Sequence, residues 1–321
     1  MPPRYLSTAL FKRAAANASL IRISLHNAAA PSTAFSRSFS AQPETNNKNS
    51  EPRVTTAVTS NGIVHVKLNR PDKLNALDLG MFEAIAETAE SLAQDKSIRA
   101  VILSGEGRAF CTGLDVKSIA KDKPFKTMKQ LLSKRCPESF SNLAQDPGYL
   151  WRQVRAPVIC AIHGMCFGGG LQIALGADMR FATPDCKISI MEAKWGLIPD
   201  MSASVTLREL IPIDVAKELT MTGRIFSGQE AAALHLVTRC VDDPLAEAEK
   251  VAKEIAERNP DAVAASKKLF QNNWITKSEE EALKYEEELQ RTLLGSWNQI
   301  ATAVDNFGVK LPYINRKDGR E

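Results

Sequence analysis

Histidine is scarce in this chain, with four in 321 residues, and the six cysteines contain no CxxC pair. The scattered His26, His65, His163 and His235, and the cysteines at 111, 136, 160, 166, 186 and 240, suggest neither a zinc site nor a disulfide framework. No segment repeats at a fixed period. No Lys-Ser or Lys-Thr follows the triplet Gly168-Gly169-Gly170, which disfavours a nucleotide phosphate loop. A basic stripe of the kind that tracks nucleic acid is also missing.

Acids are absent from residues 1–39, where Arg4, Lys12, Arg13, Arg22 and Arg37 stand among Ser and Ala. The stretch lacks an apolar run of secretory length as well. Its composition fits an organelle transit peptide, with the mitochondrial matrix as the expected destination. Arg37-Ser38-Phe39 before Ser40 resembles a matrix-processing site. The leader carries the basic balance of the chain, since removing its five basic residues from a net charge of +4 leaves −1. Residues 40–52 are polar and read as a linker, so a single folded domain is expected over 53–321. The long charge-free run from Ala156 to Ala177 is interrupted by Pro157, His163, Gln172 and the three glycines. A strand, a turn and a buried helix suit it better than a membrane span.

With 44% hydrophobic and 24% charged residues, the rest is the composition of a globular protein. Two β-rich runs flank Asn61-Gly62, and Val64, Val66 and Leu68 alternate on one face, so a hairpin opens the domain. Phe82, Ile85, Ala86, Ala89, Leu92 and Ala93 predict an amphipathic helix over 78–94. Strands are expected at 100–105, 157–164, 179–182 and 187–190. Beyond residue 202 the patterning is helical, over 203–210, 213–221, 228–235, 244–258, 261–274 and 279–305. Alternating strands and helices followed by helices imply an α/β core with a helical C-terminal part from about residue 258.

Chemistry concentrates at two places. A glycine triplet between a buried strand and a helix lets a ligand approach the backbone and aims free N–H groups at negative charge. Its plainer alternative is a tight turn packed against a neighbour. "MEAKWGLIPD" then places Glu192 and Asp200 eight positions apart in a stretch that otherwise reads as interior. A buried carboxylate is costly unless it is paired or used.

"LNRPDKLNALD" (68–78), "AFCTGLDVKSI" (109–119), "HGMCFGGGLQIALGADMRFA" (163–182) and "MEAKWGLIP" (191–199), in that order, resemble the crotonase family, the enoyl-CoA hydratases and isomerases. The likeness spans about residues 53–315. It implies an α/β fold, a spiral of ββα units with a helical C-terminal region that builds homotrimers, often paired into hexamers. It implies an oxyanion hole made by the backbone N–H groups of Leu114 and Gly169. It places Lys73, Asp115, Lys117 and Gly168 around CoA and the acyl chain, and makes Glu192 the residue that moves a proton. The second hydratase glutamate falls at Gln172, whose amide transfers no proton at useful pH. Asp200 matches instead an aspartate of the dienoyl-CoA isomerases, with an N-cap for a helix starting near Ser202 as its structural alternative. His163 matches no catalytic position and reads as a hydrogen-bonded core histidine.

The function implied is a Δ3,5-Δ2,4-dienoyl-CoA or Δ3-Δ2-enoyl-CoA isomerase of mitochondrial fatty-acid oxidation, with the CoA thioester as substrate and neither metal nor redox cofactor. An enoyl-CoA hydratase and a non-catalytic acyl-CoA or partner-binding homologue are the alternatives. No nucleic acid and no membrane span are expected among its partners.

Overall fold

A computed structural model describes residues 51–121, 124–275 and 277–316. The expected leader, and nearly all of the expected linker, lie outside the described residues. Strands β1 (Val54–Val58) and β2 (Ile63–Leu68) form the antiparallel hairpin, with Gly62 at φ +80° in its loop. Helix α1 (Leu79–Gln94) follows, its first turn capped by Asp78, which accepts from Met81 N–H. Next come β3 (Ala100–Gly105), β4 (Val158–Ile162), β6 (Met179–Ala182) and β9 (Arg239–Cys240), which extend β2 as one sheet of parallel strands. A smaller sheet joins β5 (Met165–Phe167), β7 (Lys187–Ser189) and β8 (Phe226–Ser227).

Parallel strands covered on both faces need apolar residues at nearly every position, and β4 is buried throughout. Val64, Val66 and Leu68 point to the main core, against Met81, Phe82 and Ile85 of α1. The opposite face, with Ile63, Ile102, Ile159 and Phe181, packs on Ala248 and Ala252 of α9 (Pro244–Ala256). The charge-free run resolves into β4, β5 and the short helix α5 (Gly169–Leu175). Among the described residues no helix is long and apolar enough to cross a membrane.

One expectation changes, and one stretch without an expected element proves helical. The segment between 116 and 152, with no clear period, holds three helices: α2 (Val116–Lys121), α3 (Pro124–Leu131) and α4 (Asp146–Tyr149). All are too short for periodicity to reveal. The single helix expected over 279–305 is two, α11 (Glu279–Leu293) and α12 (Trp297–Asp305). Gly295 between them has φ +74°, and Ser296 starts a new helix by accepting from Gln299 N–H. The remaining helices are α6 (Ala203–Leu207), α7 (Ile213–Thr222), α8 (Gly228–Ala233) and α10 (Pro260–Asn273).

Candidate active site

The turn that carries Leu114 is held from below by the early motif. Asn75 is fully buried at φ 56°, and its amide donates to the carbonyls of Glu106 and Ala109, 2.9 Å each, while accepting from Arg70 N–H at 2.8 Å. Arg70 pairs with Asp115 at 2.8 Å. Asp115 also accepts from Ser118, from N–H at 3.0 Å and from the hydroxyl at 2.6 Å. Burial works against its charge, yet the bonds from Ser118 and Arg70 outweigh it and bring its pKa down to about 2. The carboxylate expected to meet CoA is thus engaged in fixing the turn. Sequence reasoning missed Arg70 and Asn75, although both lie inside the motif that marked the family.

A parallel bridge then uses Leu77 N–H to Gly113 O (2.8 Å) and Asp115 N–H to Leu77 O (2.9 Å). The N–H of Leu114 falls outside this pattern and donates to no acceptor among the described residues. The glycine turn lies alongside. Gly168 has φ +52°, a conformation that favours glycine, and starts α5. The N–H of Gly169 is likewise without an acceptor among the described residues. A side chain on Gly113 would begin 3.4 Å from Gly169 N, so the turns bearing the two expected donors are neighbours. Close packing is real as well: a Cβ on Gly170 would fall 2.4 Å from Cys111 O. The triplet therefore serves both readings, tight packing and exposed donors.

One of the two acids lies beside the glycine turn. Glu192 opens a short 3-10 turn, Glu192–Trp195, soon after β7. Its Oε1 accepts from Gln172 Nε2 at 2.6 Å and would stand 3.2 Å from a side chain begun at Gly168. Its Oε2 is buried and has no hydrogen-bond partner among the described residues. Burial raises its pKa, the Gln172 amide and nearby backbone N–H groups oppose that, and the charge of Asp200 adds to the rise. Ile190 is buried nearby in the chain, but Trp195 turns outward and is 62% exposed, although the stretch reads as interior from its sequence. Asp200 stands at an exposed rim, and partial burial of its carboxyl raises its pKa too. It caps no helix: α6 starts from Ser202, at φ 72°, without a side-chain cap.

Lys73 and Lys117 are exposed near the Leu114 turn, on the 3-10 turn Pro71–Lys73 and on α2, and neither is ion-paired among the described residues. His163 is hydrogen-bonded as expected, with Nε2 at 2.9 Å from Gly107 O, but it is half-buried just after β4 rather than part of the core.

Two unused donors with a half-buried acid and an exposed acid nearby suit a reaction that builds negative charge on a carbonyl oxygen while protons move nearby. The model of the enoyl-CoA hydratase/isomerase family matches residues 58–309. The chain belongs to that family. Over 273 residues it is 30% identical to the peroxisomal Delta(3,5)-Delta(2,4)-dienoyl-CoA isomerase of Arabidopsis thaliana, covering 81% of this chain and 92% of the relative. The mitochondrial enzyme of the same name from Rattus norvegicus is 31% identical over 64% of each chain. Enoyl-CoA hydratase EchA19 of Mycobacterium tuberculosis is 33% identical over 62% of this chain and 73% of its own. Among solved structures, an enoyl-CoA hydratase from Bacillus anthracis superposes with a TM-score of 0.73 at 26% identity, over 81% of this chain and 98% of the other. The fold is therefore the crotonase fold of this hydratase/isomerase family.

Proposed function

We propose that this family member is an acyl-CoA double-bond isomerase, with a 3,5-dienoyl-CoA as its leading substrate. The observation that carries the reading is the set of groups at the glycine turn: a half-buried Glu192 whose Oε2 is buried and bondless among the described residues, Asp200 exposed nearby, and an amide where a second hydratase acid would stand. The N–H groups of Leu114 and Gly169 receive the thioester oxygen. Asp200 takes a proton from C2, and the resulting negative charge spreads from that oxygen along the conjugated chain. Glu192 returns a proton at C6, leaving double bonds at C2 and C4. A preorganised donor is worth about 10² to 10³ in rate because it meets charge that exists only in the transition state and the enolate. Protons in and out balance and no atom is oxidised, so the step as written calls on neither metal nor redox cofactor. Lys73 and Lys117 serve the CoA phosphates as point charges, and Gly168 lets the acyl chain pass close to the backbone.

A Δ3-enoyl-CoA needs Glu192 alone and is the second substrate class. The hydratase reading draws on EchA19 and the hydratase structures, but Gln172 removes one of the two acids that route uses. The purified full chain is to be given a 3,5-dienoyl-CoA, a 3-enoyl-CoA and a 2-enoyl-CoA. Dienoyl or enoyl isomerisation is expected to be fastest, and faster hydration would refute the part assigned to Gln172. Gln172→Glu is expected to gain hydration. CoA-ester binding without turnover, unaltered by Glu192→Ala, would favour a binding protein instead.

The mitochondrial matrix is the proposed location, supported by the acid-free leader and by the mitochondrial rat relative, while the Arabidopsis relative is peroxisomal. A homotrimer or hexamer is proposed because a lone chain exposes Ile198, Met221, Phe270, Trp274 and Phe307 to water.

A further inference from the structure

Position 172 departs from the two-acid pattern, and the departure has a use of its own. Gln172 lies on α5 with 1% of its surface exposed, and both ends of its amide are engaged. Its Oε1 accepts from Met201 N–H at 2.7 Å. With its oxygen claimed by a donor, the amide cannot flip without setting one N–H against another, so its NH₂ must face the other way. There it donates to Glu192 Oε1 at 2.6 Å. An oxygen that already receives an amide hydrogen is a poor place for an acid proton, because the two hydrogens would collide. The other oxygen, Oε2, is buried and has no partner among the described residues. Met201 directly follows Asp200, so the same amide ties down the turn that carries the second acid.

We propose that Gln172 is a positioning residue that fixes Glu192 with Oε1 as permanent acceptor, leaves Oε2 to carry the transferable proton, and holds the Asp200–Met201 turn against Glu192. This rests on the isomerase reading and gives the amide at 172 a part of its own. A glutamate there would keep the bond from Met201 N–H, but it would face Glu192 with a hydrogen only when protonated, so the two acids would compete for one proton. A methionine of similar length would offer neither bond.

The test compares the full-length wild type with Gln172→Met and Gln172→Glu. Infrared difference spectroscopy follows the carboxylic-acid band of Glu192 against pH without substrate, with Glu192→Gln identifying the band. Steady-state kinetics follow on a 3,5-dienoyl-CoA. Asp200 is the charged group acting on Glu192, and it is unchanged in both variants. Gln172→Met removes a donor to the charged form, so the Glu192 titration should move to higher pH by about half a unit or more. Its kcat should fall by about 10- to 100-fold with KM nearly constant, and the alkaline limb of kcat should move up with the titration. In Gln172→Glu the single step should become two coupled steps, a readout that stands even if the methionine variant fails to fold. A Glu192 titration unmoved in folded Gln172→Met, or a single step at the wild-type pH in Gln172→Glu, overturns the proposal. A shifted titration in a protein that isomerises none of the acyl-CoAs defeats the isomerase reading while supporting the fixed carboxyl.

Discussion

Glu192 illustrates the conflict between stability and chemistry at a single residue. Its folded pKa lies above the ordinary glutamate value of 4.5, with burial as the main cause. The native state therefore binds this proton more tightly than the unfolded chain does. Below the ordinary range both states hold the proton and the residue costs nothing extra; as pH rises through the raised pKa, folding must expose a charge to burial and loses stability. Glu192→Gln is expected to melt higher than wild type at pH 8, by about 2–4 °C for each kcal/mol relieved, and to match it near pH 4. Isomerase turnover should drop by about 10² to 10⁴. Calorimetry at the two pH values with a parallel rate assay checks both parts, and equal melting at pH 8 would contradict the burial argument. Asp115 behaves oppositely. Its pKa of about 2 means that its bonds to Arg70 and Ser118 support the fold above the ordinary aspartate range and fade as pH falls from about 4 toward 2. Asp115→Asn should lower stability at pH 7 and leave it nearly unchanged at pH 2, as urea titrations would show.

At the scale of elements, the site depends on how closely α5 seats on the Cys111 turn. Gly170→Ala would drive a Cβ to within 2.4 Å of a backbone carbonyl that cannot rotate away. A loss of about 1–3 kcal/mol is expected from forced overpacking of this kind, read as a lower midpoint in denaturant; an unchanged midpoint would mean that α5 shifts freely. Helix α10 is anchored in a different way. Lys267 is buried, pairs with Asp178 at 2.7 Å and donates to the carbonyls of Trp151 and Ala156. Removing one partner strands the other charge, so Lys267→Ala should cost about 3–5 kcal/mol. Lys267→Met in the background of Asp178→Asn should recover part of the loss, since both charges then leave together. The first anchor seats the helix that follows the glycine turn, and the second ties α10 to the segments that lead into β4 and β6.

For the whole molecule, the surface asks for company. Apolar side chains of α10 and its surroundings, Phe270, Trp274 and Leu283 among them, are exposed in the single chain. Sedimentation of the purified protein is expected to give three or six times the mass of one chain, and Phe270→Asp with Trp274→Asp is expected to lower that mass. A reporter carrying residues 1–39 is expected to reach mitochondria, and peroxisomal delivery of the full chain would defeat that address. Much of the molecule is legible from its residue order, because local patterns need no partner to be read: the opening hairpin, α1 and the buried strands follow from periodicity and turn chemistry, and the motifs follow from resemblance to the family. The two carboxylates are also visible there by residue type, while the absence of a further acid at 172 is read from the resemblance to the family. The tertiary structure decided what depends on groups far apart in the chain. It turned Asp115 from a ligand contact into a strut for its own turn, faced Trp195 outward, freed Asp200 from capping, and placed one amide between the segments of both acids. The first and the last of these rest on hydrogen bonds across 20 to 45 positions, whose geometry arises only after strands and helices have packed.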